Sequence, residues 1–263
     1  MHNQWSGRWV LITGASAGIG KAFAEELAAG KANLVLTARR TQELESLAAR
    51  LSSTHGVRVA TFAADLNDPS APAEILAFTR YKNLPIDFLI NNAGFGKFGE
   101  FAKNEVKRQT SMVRVNCEAV VHLTHLFLNP MIERRKGDIL ILASTAAFQA
   151  VPYLAVYAAT KAFDLLFAEG LAQEVKQYGI RVCALCPGST ESEFHAVAGA
   201  PIRSGGASRE TAKKVVGVGL DALLAGKHSV ISGFRNRLGA EVQRLVPRRV
   251  VADAAEKIFR PKS

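Results

Sequence analysis

Three cysteines in 263 residues are an odd number and too few for a disulfide framework, a usage that suits a reducing compartment. Nor does any apolar run approach the ~18–20 residues a helix needs to span a bilayer. The first residues lack the charged, apolar and small-residue succession of a signal peptide, so the expected location is cytoplasmic. Metal-ligand spacing is missing too. Cys183 and Cys186 spell C-x-x-C at the end of a predicted strand, where i and i+3 face opposite sides, and no second pair or neighbouring histidine completes a site. His122 and His125 stand three apart without a carboxylate at ligand spacing, which reads as helix packing and surface. No metal is expected. No repeat, low-complexity tract or linker divides the chain, and Asp68, Pro69 and Pro72 mark a helix start. One domain over 1–263 is the expectation. A hydrophobic content of 48% and a charged content of 21% are ordinary for a globular protein.

What is present alternates. Strands are predicted near 8–13, 33–38, 57–63, 86–90, 138–143, 180–185 and 228–232. Helices are predicted near 18–29, 41–53, 70–80, 104–129, 155–177 and 208–225. Strand runs such as Leu34-Val35-Leu36 and Ile139-Leu140-Ile141-Leu142 are apolar without alternation, as parallel strands covered on both faces should be. The pattern predicts an α/β fold, a doubly wound, mostly parallel seven-stranded sheet with ligands at the carboxyl ends of its strands.

The first strand runs directly into Gly14-Ala15-Ser16-Ala17-Gly18-Ile19-Gly20 and then a helix. Strand, glycine-rich turn and helix form the context of a dinucleotide-binding turn, with phosphates over the free N–H groups of the helix N-terminus. Further along, Tyr157 and Lys161 are i and i+4 on a predicted helix and share a face. A phenol titrates near pH 10 in model peptides, and a fixed cation beside it lowers that value. Ser144, upstream, is placed to hold a carbonyl or alcohol oxygen against the phenol.

These motifs together resemble the short-chain dehydrogenase/reductase family over nearly the whole chain. Thr13 to Gly20 look like its cofactor turn, with Gly14, Ser16, Gly18, Ile19 and Gly20 as contacts. Asp65-Leu66 look like its adenine-side contact, and Asn91-Asn92-Ala93-Gly94 like the segment ending the fourth strand. Asn116, Ser144, Tyr157 and Lys161 match its catalytic tetrad. Pro187-Gly188 match its nicotinamide-side loop, with Thr190 and Ser192 following. The chain departs from the pattern at Ala17, Ala147 and Ser192, which replace a frequent serine, glycine and threonine. The resemblance implies hydride transfer between nicotinamide and a carbonyl or secondary alcohol, with Tyr157 as general acid/base. Ser144 would supply a second hydrogen bond, Lys161 would bind the nicotinamide ribose and tune Tyr157, and Asn116 would hold a relay water. It also implies a homodimer or homotetramer built through the long helices 104–129 and 155–177. The competing reading is a non-catalytic NADPH-binding sensor or scaffold.

An acid is absent where an NAD-selective site needs one, after the second strand. Ala38-Arg39-Arg40 stand there instead, and a guanidinium meets a 2′-phosphate bidentately. The expected cofactor is NADP(H), with Arg39 of this pair the main contact and Ser16 a second. Segment 190–208, with Gly199, Gly205 and Gly206, reads as a substrate lid. Phe95, Phe98, Phe148, Val151 and Phe194 either line an apolar pocket or seal the lid onto the core. The net charge of +10 is scattered except near the end, so nucleic acid is not an expected partner. In the basic extension 235–263, Arg248, Arg249, Asp253, Glu256, Lys257 and Arg260 share one helix face and Val250, Val251, Ala254 and Ile258 another. That helix touches a membrane or an anionic acyl carrier, or docks on the core or a partner subunit.

Overall fold

The computed structural model describes residues 2–199, 209–243 and 245–261. In chain order the elements are β1 (Trp9–Thr13), α1 (Gly18–Ala29), β2 (Asn33–Ala38), α2 (Thr41–His55), β3 (Val59–Ala63), α3 (Ala71–Tyr81) and β4 (Ile86–Asn91). Then come α4 (Val106–Val113), α5 (Ala119–Arg134), β5 (Gly137–Leu142), α6 (Ala155–Val175) and β6 (Ile180–Cys186). The remainder is α7 (Phe194–Ala198), α8 (Ala212–Leu224), β7 (Ser229–Ile231), α9 (Phe234–Gln243) and α10 (Arg248–Phe259).

The strands form one seven-stranded sheet in the order β3-β2-β1-β4-β5-β6-β7, and every pairing is parallel. The unbroken apolar runs are explained by cover on both faces. Leu11, Val35, Leu89, Ile139 and Val182 pack toward α3, α5 and α6, whereas Val10, Ile12, Leu34, Leu36 and Leu140 pack toward α1, α2 and α8. Strand order reverses between β1 and β4, which opens a crevice at their carboxyl ends. Asp138 on β5 is almost fully buried and takes two hydrogen bonds from Arg181, at 2.6 and 2.9 Å, and one from Trp5 Nε1 at 2.6 Å.

Three element predictions need correction. The single helix expected over 104–129 is two helices joined by a π-helical turn, Arg114–Glu118, and it continues past Pro130 to Arg134. The wide turn carries Asn116, whose side chain bonds the loop after β4 and α6, and such bulges are frequent at functional sites. The helix expected over 208–225 begins at Ala212, where the Thr211 side chain caps it by accepting from Lys214 N. The extension holds, besides the helix expected at its end (α10), a helix that the pattern did not predict, α9. Of the lid expected over 190–208, the described part contains α7 and a bridge from Thr190 to Glu210. Residues 200–208, with Gly205 and Gly206, lie outside the described residues, as do 262–263 of the extension. Among the described residues, no helix is long and apolar enough to cross a membrane.

Candidate active site

The ends of β1 and β4 are tied together by one hydroxyl. Thr13 Oγ1 accepts from Asn92 N at 3.0 Å and Ala93 N at 2.9 Å, and Asn92 Nδ2 donates to Thr13 O at 2.8 Å. Against this brace the chain turns at Gly14, whose φ of +66° favours glycine and whose missing Cβ would stand 2.9 Å from Asn92 Nδ2. A Cβ on Gly20 would collide with the Gly14 carbonyl, so α1 packs where only glycine fits. Ala17, at the N-cap of α1, offers no side-chain bond, and the first-turn N–H groups of the helix keep their capacity for an anion.

A cavity of about 980 Å³ opens at this crevice. Gly14, Ser16, Gly18, Ile19, Arg40, Asn92, Ala93 and Gly94 line it from the segments after β1, β2 and β4. Ser144, Tyr157, Lys161, Pro187, Gly188, Thr190 and Ser192 line it from α6 and the segments after β5 and β6. Gly20 lies behind the turn. Asp65 and Leu66 fall outside this lining: Asp65 is exposed and accepts from Asn67 N at 3.0 Å, and Leu66 is buried in the core.

The two arginines after β2 part company. Arg39 is exposed and does not line the cavity, whereas Arg40 does. Arg40 donates to Ser16 Oγ from Nη2 at 3.0 Å and from Nε at 3.2 Å, and it pairs with Glu193 Oε2 at 3.1 Å. Consecutive side chains leaving a strand diverge, so one of an adjacent pair faces the crevice and the other faces away. Of the pair expected to meet a 2′-phosphate, Arg40 lines the cavity and Arg39, the expected main contact, does not.

The tyrosine lines the same cavity. Tyr157 is half-buried beside Lys161, and Ser144 caps a short 3-10 turn by accepting from Ala146 N at 3.1 Å. Burial raises the phenol pKa above its ordinary value, while the Lys161 charge and the Ser144 hydroxyl pull it down. Lys161 Nζ donates to Leu142 O at 2.6 Å and to Asp164 Oδ2 at 2.9 Å. Burial pulls the lysine pKa down, but the Asp164 carboxylate, and after it the phenol, together outweigh burial and leave that pKa above its ordinary value. Burial also lifts the Asp164 pKa, against the pull of Lys161.

Asn116 is fully buried behind this group. Its amide donates to Phe95 O and to Thr160 Oγ1, both at 3.0 Å, and its carbonyl oxygen accepts from Phe95 N at 3.1 Å. Thr160 Oγ1 in turn donates to Tyr157 O at 2.8 Å. The π-helical turn thus fastens the loop after β4 to the helix that carries Tyr157 and Lys161.

Aromatic residues divide between wall and core. Phe95 and Phe194 line the cavity, and the Phe194 ring lies 5.0 Å from that of Tyr157. Phe98 and Leu154 continue the apolar wall. Phe148 is not part of it; its ring packs on the core beside α6, because the 3-10 turn after Ser144 carries it away. Sequence reasoning missed Phe259, which closes the wall from α10. It also missed the bond from Tyr153 Oη to Glu256 Oε1, 2.9 Å, which ties α10 to the loop before α6. The expected apolar face of α10 is corrected as well. Val251, Ala255 and Phe259 turn inward, while Val250, Ala254 and Ile258 stay exposed.

Comparisons with known proteins agree with this geometry. The family model described as short chain dehydrogenase matches residues 8–201. A very-long-chain 3-oxoacyl-CoA reductase of Phaeosphaeria nodorum is 36% identical over 184 residues, which are 67% of this chain and 53% of that protein. The chain spans about half the length of such curated relatives. A short-chain dehydrogenase from Sphingobium yanoikuyae, solved with NADPH, superposes with a TM-score of 0.81 at 31% identity, covering 90% of this chain and 94% of that one. The bulky-bulky ketone specific alcohol dehydrogenase of Comamonas testosteroni gives a TM-score of 0.78 at 29% identity, covering 90% and 93%.

Proposed function

The chain belongs to the short-chain dehydrogenase family, and on that premise we propose that it is an NADP(H)-dependent oxidoreductase acting on carbonyl and secondary alcohol groups. The observation that carries this reading is one cavity lined both by a phosphate-type cradle and by Tyr157, Lys161 and Ser144. The cradle fits a dinucleotide: a turn closed to side chains at Gly14 and Gly20, an uncapped helix start, and a guanidinium held by Ser16. Gly14, Ser16, Gly18, Ile19 and Arg40 would hold the adenosine and phosphates, and Lys161, Gly188 and Ser192 the nicotinamide half. When bound, NADPH supplies the hydride.

The residues of the chain do the rest. Tyr157 gives its proton to the carbonyl oxygen as negative charge grows there, and Ser144 donates a second hydrogen bond to the same atom. Lys161 stays cationic through Asp164 and favours the phenolate that Tyr157 leaves. Asn116 fixes the distance between the β4 loop and α6, so the proton donor meets the substrate in one geometry. In the oxidising direction the same phenolate accepts the proton.

The substrate we propose is a carbonyl compound with a large apolar body, a class that includes long-chain 3-oxoacyl thioesters. Phe95, Phe98, Leu154, Phe194 and Phe259 give the cavity the apolar wall such a molecule needs. An NADPH-consumption screen across aldehydes, bulky ketones and 3-oxoacyl thioesters tests it. A non-catalytic NADPH sensor would bind the coenzyme and turn over none of them.

Assembly and location belong to the same proposal. Val113, Val121, Phe163 and Leu166 expose apolar surface on α4, α5 and α6, which supports pairing of two copies through these helices. Two of the three free cysteines are buried, a pattern that suits a reducing cytoplasm.

A further inference from the structure

The last two helices carry more apolar surface than the fold buries. Phe234, Leu238 and Val242 follow one another at i, i+4 and i+8 on α9, the spacing of a single helical stripe, and Leu245 stands in the turn beyond its end. They are exposed by 79%, 53%, 50% and 86%. On α10 the stripe Val251, Ala255 and Phe259 turns inward, and beside it Val250, Ala254 and Ile258 form a second stripe that faces outward. A helix that docks on a core by one face ordinarily shows polar residues on the other. Runs of large exposed apolar side chains mark a contact surface instead.

Charge says what kind of surface it meets. Residues 234–263 hold eight lysines and arginines against three acids, a net of +5 and half of the chain's +10. Arg235, Arg237, Arg248 and Arg249 are all exposed and make no ion pair among the described residues. A second copy laid on this face would set +5 against +5. Nucleic acid would leave the aliphatic stripes in water. An anionic lipid surface satisfies both halves, since apolar side chains enter the headgroup boundary while arginines meet the phosphates.

We propose that α9 and α10 together dock the protein on anionic lipid surfaces. Phe234 and Phe259, on these same two helices, line the cavity, so docking sets the apolar wall of the site against the medium in which long-chain molecules reside. The docking claim is read by sedimentation, which needs no turnover, so its failure leaves the proposed reaction untouched.

The test uses the full chain with phosphatidylcholine vesicles, with and without phosphatidylglycerol. The protein is expected to sediment with the anionic vesicles alone. Arg248→Ala with Arg249→Ala should weaken that partition roughly 25-fold, about fivefold per cation. Leu238→Ser with Ile258→Ser, both at exposed positions, should weaken it as well, with turnover of a water-soluble ketone unchanged. Equal binding to neutral vesicles, no sedimentation, or full binding by both double variants overturns the proposal. So does a shift of Leu238→Ser with Ile258→Ser to a smaller oligomer without vesicle binding, because the face would then join copies of the chain.

Discussion

Lys161 Nζ sits 2.9 Å from Asp164 Oδ2, with the two side chains only 5% and 1% exposed. The pair is one turn of α6 and lies beside Tyr157, so the proton donor faces a lysine whose charge is partly matched. Asp164 raises the Tyr157 pKa, acting against Lys161. In Asp164→Asn the shape remains, but the carboxylate that keeps Lys161 protonated against burial is gone, so the phenol loses the cation that favours its anion. The limb of alcohol oxidation that needs phenolate should move to higher pH. In the reducing direction, activity should persist to correspondingly higher pH. Steady-state pH profiles of both directions check this, and an unmoved profile would remove Asp164 from the chemistry.

Coenzyme selectivity should reside in Arg40. Its guanidinium already bonds Ser16 Oγ at the cavity edge. Arg40→Ala should weaken NADPH by about 10- to 100-fold, the value of a charge-assisted hydrogen bond or two, and leave NADH nearly unchanged. Arg39→Ala should alter neither. Fluorescence titrations of the two variants decide between the neighbours.

Tyr153 and Glu256 join α10 to the loop that precedes α6, across a 2.9 Å bond. Tyr153→Phe should free that end of α10. Amide hydrogen exchange over Arg248–Phe259 should quicken, and KM for a bulky substrate should rise more than kcat falls, because Phe259 forms part of the wall. Unchanged exchange would mean that α10 is held elsewhere.

Much of the fold could be read from the residues because it depends on local pattern. Fully buried parallel strands announce themselves as unbroken apolar runs, and all seven were located within a few residues. The glycine turn, Ser144, Tyr157 and Lys161 were legible for a similar reason, since each motif sits at the end of its own strand or along one helix. What escaped depends on tertiary contact. No local signal separates Arg39 from Arg40, because the choice rests on which side chain meets Ser16 across the crevice. Phe148 and Phe259 exchanged roles for the same reason, one taken to the core by a 3-10 turn, the other brought in by a helix far along the chain. The inward stripe of α10 accompanies a bond between Tyr153 and Glu256, 103 residues apart, that no local pattern announces. Asp164 could have been found: an acid three residues after Lys161 shares its helical face.

Stability should depend on a buried carboxylate remote from the cavity. Asp138 takes bonds from both Arg181 and Trp5 Nε1, and Asp138→Ala leaves both donors without that acceptor. The loss expected is about 3 kcal/mol, read by urea denaturation at constant m-value. A change within experimental scatter would show that water replaces the carboxylate.

The central claim is that Tyr157 moves the proton. NADPH oxidation by Tyr157→Phe, measured beside NADPH affinity on a substrate that the unaltered protein reduces, tests it most directly. Turnover should fall by about 10²- to 10⁴-fold while the coenzyme binds as before. A variant that keeps its rate would contradict the account.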